Sequence, residues 1–169
     1  MTDKPDTKTA GLGRMGEAHF GVVNTPVYRA STILYPDMAA LKANTQPYTY
    51  GRRGTPSSRS FEEAISALEG AARSVILPSG LNAVATAILS VCGAGGHLLM
   101  VDTVYEPTRI FCDRTLKRLG VETSYYAPGA DIAPLIQPNT RAVFCESPGS
   151  LTFEVQDIPA LARAAHARN

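Results

Sequence analysis

Four short stretches hold residue types that could do chemistry. Tyr48, Tyr50, Arg52 and Arg53 crowd into the loop 46–58, QPYTYGRRGTPSS. Arginine offers a planar fork of donors for phosphate or carboxylate, and tyrosine adds a ring and a hydroxyl. In Pro78-Ser79-Gly80-Leu81 an apolar run is stopped, and an alanine-rich helix-forming sequence follows. Free backbone N–H groups at such a helix start favour an anion such as phosphate. Tyr105, in DTVYEP, follows a strand-like run, where a ring could stack on a flat ligand. Glu146-Ser147-Pro148-Gly149-Ser150 follows another and could line a site. Each stretch also has a plainer reading: a solvated basic loop, an ordinary βα turn, a packing tyrosine, a chain reversal. The glycines match neither G-x-x-x-x-G-K-[ST] nor G-x-G-x-x-G.

The elements that must position these residues are legible as periodicity. Val75-Ile76-Leu77 predicts a buried strand, and the sequence from Gly80 to Leu89 a helix. Strands are expected at His97–Val101, Val121–Tyr126 and Arg141–Glu146. Helices are expected from Glu106 to Leu119, closed by Gly120, at Asp131–Ile136, and from Ile158 to about Ala167, capped by Asp157. The βαβαβαβα alternation argues for an α/β fold, with a mainly parallel sheet, covering helices and right-handed crossovers. Ligands of such sheets bind at the carboxyl ends of the strands, here residues 78–81, 102–107 and 147–150. Upstream, residues 1–24 are polar, glycine-rich and aperiodic, and read as a flexible arm. Residues 25–34 read as extended and mildly apolar, packing on something larger. Asp37–Asn44 is a short helix candidate. Ser57 or Ser58 can cap a helix running to about Leu68, with Phe61, Ala64, Ile65 and Leu68 on one face and Gly70 ending it. The division expected is 1–57 for the arm and short helix, and 58–169 for the sheet domain.

Composition bounds the classes. The 169 residues are 44% hydrophobic and 18% charged, a globular composition with room for one core. A net charge of +1 supplies no electrostatic reason for nucleic acid or an anionic membrane as partner. No apolar run approaches the roughly 20 residues of a membrane span, and the N-terminus shows no signal core, so a cytoplasmic protein is expected. Cys92, Cys112 and Cys145 lie far apart in apolar settings and read as buried free thiols. They and His19, His97 and His166 show no metal-ligand spacing, and no metal is expected.

Taken in order, Y-G-R-R-G-T, L-E-G before an apolar run, P-S-G opening a helix, D-T-V-Y-E-P-T and E-S-P-G-S closely resemble the Cys/Met-metabolism (transsulfuration) family of pyridoxal-phosphate enzymes. The resemblance runs from about Asn24 to the last residue. YEPT with a following F-C, and ESPGS, look most like the cystathionine β-lyases within it. The resemblance implies the N-terminal arm and first half of a fold-type I large domain, with 58–169 an incomplete cofactor-binding domain. It implies pyridoxal 5'-phosphate as cofactor, an amino-acid substrate, and a homotetramer of two tight dimers. It implies that Gly80 and Leu81 donate backbone N–H groups to the cofactor phosphate, and that Tyr105 stacks on the pyridine ring. It further implies that Tyr50 and Arg52 reach the phosphate in the neighbouring subunit, and that Ser147, with Tyr105, lies on the substrate side. The implied reaction is carbon–sulfur β-elimination, from cystathionine to homocysteine, pyruvate and ammonia. Related γ-synthase, γ-lyase and methionine γ-lyase activities, or a non-catalytic phosphate-binding α/β module, are the alternatives.

The family's chemistry needs a Schiff-base lysine and an acidic partner for the ring nitrogen. The four lysines here are Lys4, Lys8, Lys42 and Lys117, and none matches that lysine. No catalytic residue is assigned, and the 169-residue chain by itself is expected to be inactive. A parallel sheet with an unpaired edge and an uncovered face is also expected to be marginally stable or prone to aggregate.

Overall fold

The computed structural model describes residues 4–14 and 16–168. The chain divides into two compact units, Met1–Ile76 and Leu77–Asn169. This division falls later than a boundary at 57, because the helix that follows residue 55 packs with the arm.

The second unit is built on β1, His97–Val101, every residue of which is buried. It pairs in parallel with β2, Glu122–Tyr126, on one side and β3, Thr140–Phe144, on the other, giving the order β2–β1–β3. A central parallel strand is covered on both faces, which is why HLLMV is a continuous apolar run after its histidine. Leu98, Leu99, Met100 and Val101 are fully buried. Burial of such a side chain stabilises by about 1.5–3 kcal/mol. Around them pack Ile88 from α4 (Gly80–Val91) and Cys92 just beyond it, Cys112 and Leu116, then Val121, Tyr126 and Ile132. The last helix, α6 (Ile158–His166), starts as expected: the Asp157 carboxylate accepts from the Ala160 N–H at 2.9 Å.

The helix expected over 106–119 is not uniform. It begins as α5, Glu106–Ile110, and continues as a π-helical stretch, Phe111–Leu116. Its buried positions are Thr108, Cys112 and Leu116, one in every four residues. An ordinary α-helix would rotate such a series by about 40° per step, and the wider π turn keeps it facing the sheet. The helix expected at 131–136 shortens to a 3₁₀ turn, Ala133–Leu135.

Val75–Leu77 forms no strand. Val75 is 69% exposed and Ile76 43%. Among the described residues no backbone group bonds theirs, and the Ile76 N–H donates to the Glu62 carboxylate at 3.3 Å. A strand exists only through a neighbour's ladder, and an apolar run does not supply one.

The first unit carries α1 (Pro5–Gly11), α2 (Met38–Ala43) and α3 (Pro56–Glu69). The supposedly aperiodic arm therefore contains a helix. Pro5 pre-sets the first turn, and the Thr9 hydroxyl donates back to the Pro5 carbonyl at 3.0 Å. Thr55, rather than Ser57 or Ser58, caps α3. Its hydroxyl accepts from the Ser58 N–H, while the Ser58 hydroxyl accepts from the Thr55 N–H, a reciprocal box. Gly70 ends the helix in the left-handed region, at φ 64°. The stretch 25–34 is extended, with Val27 78% and Leu34 83% exposed.

Candidate functional site

Ser79 caps α4. Its hydroxyl accepts from the Asn82 N–H at 3.2 Å, and its carbonyl accepts from Ala83 at 3.0 Å. The Gly80 and Leu81 N–H groups have no acceptor among the described residues. Both residues are exposed. A Cβ at Gly80 would meet nothing within 4 Å, so the turn itself is uncrowded by this chain's own atoms. Two free N–H groups at the start of a 12-residue helix have the donor geometry that suits an anion such as phosphate. The same unit presents a ring: Tyr105, at the carboxyl end of β1, is 52% exposed. A donor pair for phosphate and an accessible aromatic face fit a flat phosphorylated cofactor.

The Tyr105 turn is pinned by its surroundings. Asp102 N–H donates to the Tyr126 carbonyl at 2.9 Å, continuing the β1–β2 ladder. Arg109 Nη2 donates to the Asp102 carbonyl at 2.6 Å, and its guanidinium lies 3.7 Å from the Tyr125 ring centroid. The Tyr125 hydroxyl donates to Asp113 at 2.6 Å. Burial, and then that bond to Asp113, push the Tyr125 phenol above its ordinary value. From the loop after β3, the Ser150 N–H donates to the Thr103 carbonyl at 2.8 Å, and the Glu146 carboxylate accepts from the Tyr105 N–H at 3.2 Å.

The loop after β3 is organised by Gln156, which is buried. Its side chain donates to the Glu146 carbonyl at 2.8 Å and accepts from the Tyr126 hydroxyl at 3.1 Å. Its backbone N–H donates to the Ser147 hydroxyl at 3.0 Å. Ser147 is exposed and retains its own O–H to donate elsewhere. Thr103 Oγ1 and Glu154 Oε1 are buried here without a hydrogen-bond partner among the described residues. Gly149 is packed between these groups. A Cβ there would stand 2.7 Å from Glu154 Oε1 and 2.8 Å from Thr103 Oγ1.

Tyr50 and Arg52 belong to the first unit. Tyr50 bridges antiparallel to Thr32, and Gly51 N–H donates to the Ser31 carbonyl at 2.6 Å. A Cβ on Gly51 would overlap the Ala30 carbonyl oxygen at 1.8 Å, so only glycine allows this approach. The Arg52 guanidinium lies 4.9 Å from the Tyr50 ring centroid and is otherwise exposed. The structure thus brings Gly80, Leu81, Tyr105 and Ser147 into one compact unit, and sets Tyr50 and Arg52 together on a turn in the other. Gln156, Arg109 and Gly51 escaped the sequence reading. Their roles depend on which loop lies opposite, and no local spacing reports that. Lys42 and Lys117 are exposed, and among the described residues no cluster of His, Cys, Asp and Glu could hold a metal. No described helix is long and apolar enough to cross a membrane.

A parallel α/β unit with two free N–H groups at a helix start and an accessible tyrosine ring fits the N-terminal part of a fold-type I pyridoxal-phosphate domain. The profile of the Cys/Met metabolism PLP-dependent enzymes matches residues 6–169, and the chain belongs to that family. It is 50% identical, over 95% of its length and 41% of the relative's, to a putative cystathionine beta-lyase of Rhizobium johnstonii. It is 44% identical to the cystathionine beta-lyase of Escherichia coli K12, over 97% of this chain and 44% of that protein. The crystal structure of cystathionine gamma-lyase from Lactobacillus plantarum complexed with L-serine superposes with a TM-score of 0.87 at 27% identity, covering 98% of this chain and 42% of that one. The chain therefore spans about two fifths of the length of the curated relatives it matches.

Proposed function

We propose that the protein containing this chain is a carbon–sulfur lyase that converts cystathionine to homocysteine, pyruvate and ammonia by β-elimination. The observation that carries the site is the pair of unaccepted N–H groups at Gly80 and Leu81, in the unit that also exposes Tyr105. The choice among family reactions is supported by the identity to proteins named cystathionine beta-lyase.

Pyridoxal 5'-phosphate, when bound, supplies an electron sink for the charge that develops at the substrate α-carbon. The chain's own residues bind and orient. Gly80 and Leu81 donate main-chain hydrogen bonds to the phosphate, so the leucine side chain is not read. The Tyr105 ring stacks on the cofactor ring, fixes its plane and excludes water from that face. Ser147, on the substrate side, offers a hydroxyl donor. Tyr50 and Arg52 add a phenol and a guanidinium to the phosphate of a neighbouring subunit, within a homotetramer. The lysine that removes the α-proton is none of Lys4, Lys8, Lys42 and Lys117, and the 169 residues alone turn over no substrate.

Purified intact protein, loaded with the cofactor and given cystathionine, should release pyruvate. Release of 2-oxobutyrate instead would move the assignment to γ-elimination, the reading favoured by the likeness to the L. plantarum γ-lyase. Preference for ATP over pyridoxal phosphate in a binding assay would favour a non-catalytic phosphate-binding module. Pyruvate formed by the 169-residue chain alone, free of intact enzyme, would refute its inactivity.

A further inference from the structure

The Tyr105 hydroxyl makes no hydrogen bond among the described residues, and its ring is half exposed. Nothing at the tip of the side chain holds the ring, so its direction is inherited from the backbone of residues 102–105. Most ties on that backbone are main-chain bonds or fall on neighbouring residues. Asp102 is tied by the Tyr126 carbonyl and by Arg109, and Thr103 by the Ser150 N–H. Among the described residues, the side-chain contact to Tyr105 itself is the Glu146 carboxylate, at 3.2 Å from its N–H. Forty-one residues separate the two in sequence. They meet because β1 and β3 are parallel neighbours whose carboxyl ends coincide. Glu146 is in turn held at its own backbone carbonyl by the buried Gln156, which fixes the point from which its carboxylate reaches. A carboxylate on an amide N–H is a charge-assisted bond, stronger than a neutral pair.

We propose that Glu146 is a positioning residue for the cofactor ring: by accepting the Tyr105 N–H it sets the angle at which the Tyr105 ring meets the cofactor. The inference rests on the reading of Tyr105 as the stacking residue. It makes Glu146 a group that acts through Tyr105 and touches neither cofactor nor substrate.

The test uses the intact cofactor-loaded protein and two variants. Glu146→Ala removes the acceptor. Glu146→Gln keeps a neutral carbonyl at the same reach. Hydrogen exchange at the Tyr105 amide is read first, then the circular dichroism of the bound cofactor, then kcat and KM. In Glu146→Ala the amide should exchange about tenfold faster, the size expected for one lost hydrogen bond to a charged group. The cofactor dichroism should shrink, and kcat should fall while KM changes little. Glu146→Gln should recover most of the protection and most of the dichroism. Unchanged Tyr105 exchange in Glu146→Ala overturns the proposal, as does a Gln variant no better than Ala. If the Ala protein does not fold, Glu146→Ser, whose hydroxyl stops short of the N–H, takes its place with the same expected outcomes. Tyr105→Ala separates the two claims. Unaltered cofactor dichroism in that variant removes Tyr105 from the stacking role, while the exchange measurement still decides the Glu146 tie.

Discussion

The two halves of the chain are held together by different forces. In the unit from Leu77 onward, the sheet and its helices bury an apolar cluster, and every buried hydrophobic residue described belongs to it. In the unit up to Ile76 the buried residues are polar: His19, Thr55 and Ser60. That unit is knit by side chain-to-backbone bonds. Ser60 Oγ donates to the Gly13 carbonyl at 2.9 Å, Ser57 Oγ to Pro26 at 2.7 Å, and Tyr28 N–H to Ser57 Oγ at 2.7 Å. Meanwhile Val27, Leu34 and Met38 stand exposed. Net hydrogen-bond contributions of about 1 kcal/mol each do not replace a core. The sheet unit is shaped by what it excludes from water, and the arm by geometry and by surfaces it has yet to cover.

Hydrogen exchange, which reads both units at once, can break or sharpen this contrast. The largest effect belongs to the sheet. Leu99→Ala should cost about 2–5 kcal/mol across all three strands, whereas Val27→Ala, changing an exposed side chain, should move stability in this chain by less than about 0.5 kcal/mol. Comparable losses would mean the arm hides a core of its own. Next comes Gly51→Ala. The Cβ cannot fit against Ala30, so protection should be lost around Ser31, Thr32 and the 50–54 turn, by about 2 kcal/mol locally, with β1 untouched. Loss that spreads into β1 would show the two units to be one cooperative block. Thr55→Ala removes half of the capping box and should cost about 1 kcal/mol, confined to the first turns of α3.

The smallest effect is a pH dependence that belongs to the sheet. His97 is fully buried, its Nδ1 2.7 Å from the Thr140 hydroxyl. Burial lowers its pKa, against a weaker opposing pull from Glu122. The unfolded chain therefore takes up a proton near the ordinary value of about 6.5 while the folded one resists it. Stability should hold above that pH and decline as pH falls below it. Urea midpoints from pH 7.5 down to 5.5 should show the decline, with a shallower slope in His97→Gln. An unchanged slope would assign the titration elsewhere.

Much of this was readable before any coordinates. β1 announced itself because a central parallel strand must be apolar on both faces. Asp157 announced a helix start because a short side-chain oxygen before a helix-forming run has one good use. The order of the tyrosine, arginine, glycine and proline-containing turns pointed to the family. Other features were not readable, each for a reason. Val75-Ile76-Leu77 has a strand's composition but no partner among the described residues. The π stretch answers to the stride of the buried Thr108, Cys112 and Leu116 against the sheet. Thr55 won the cap from Ser57 and Ser58 because Pro56 took the first helical position, where proline's fixed φ is already right.

By itself, then, the sequence determined the α/β class, most element positions and the helix start at Gly80, because these follow from local periodicity and from turn and capping chemistry. Only the tertiary structure decided that Glu146 meets Tyr105, that Gln156 ties the β3 loop to Tyr126, and that Gly51 admits no side chain. Those are contacts between segments far apart in the chain. They are set by strand order and register, and no residue carries either alone.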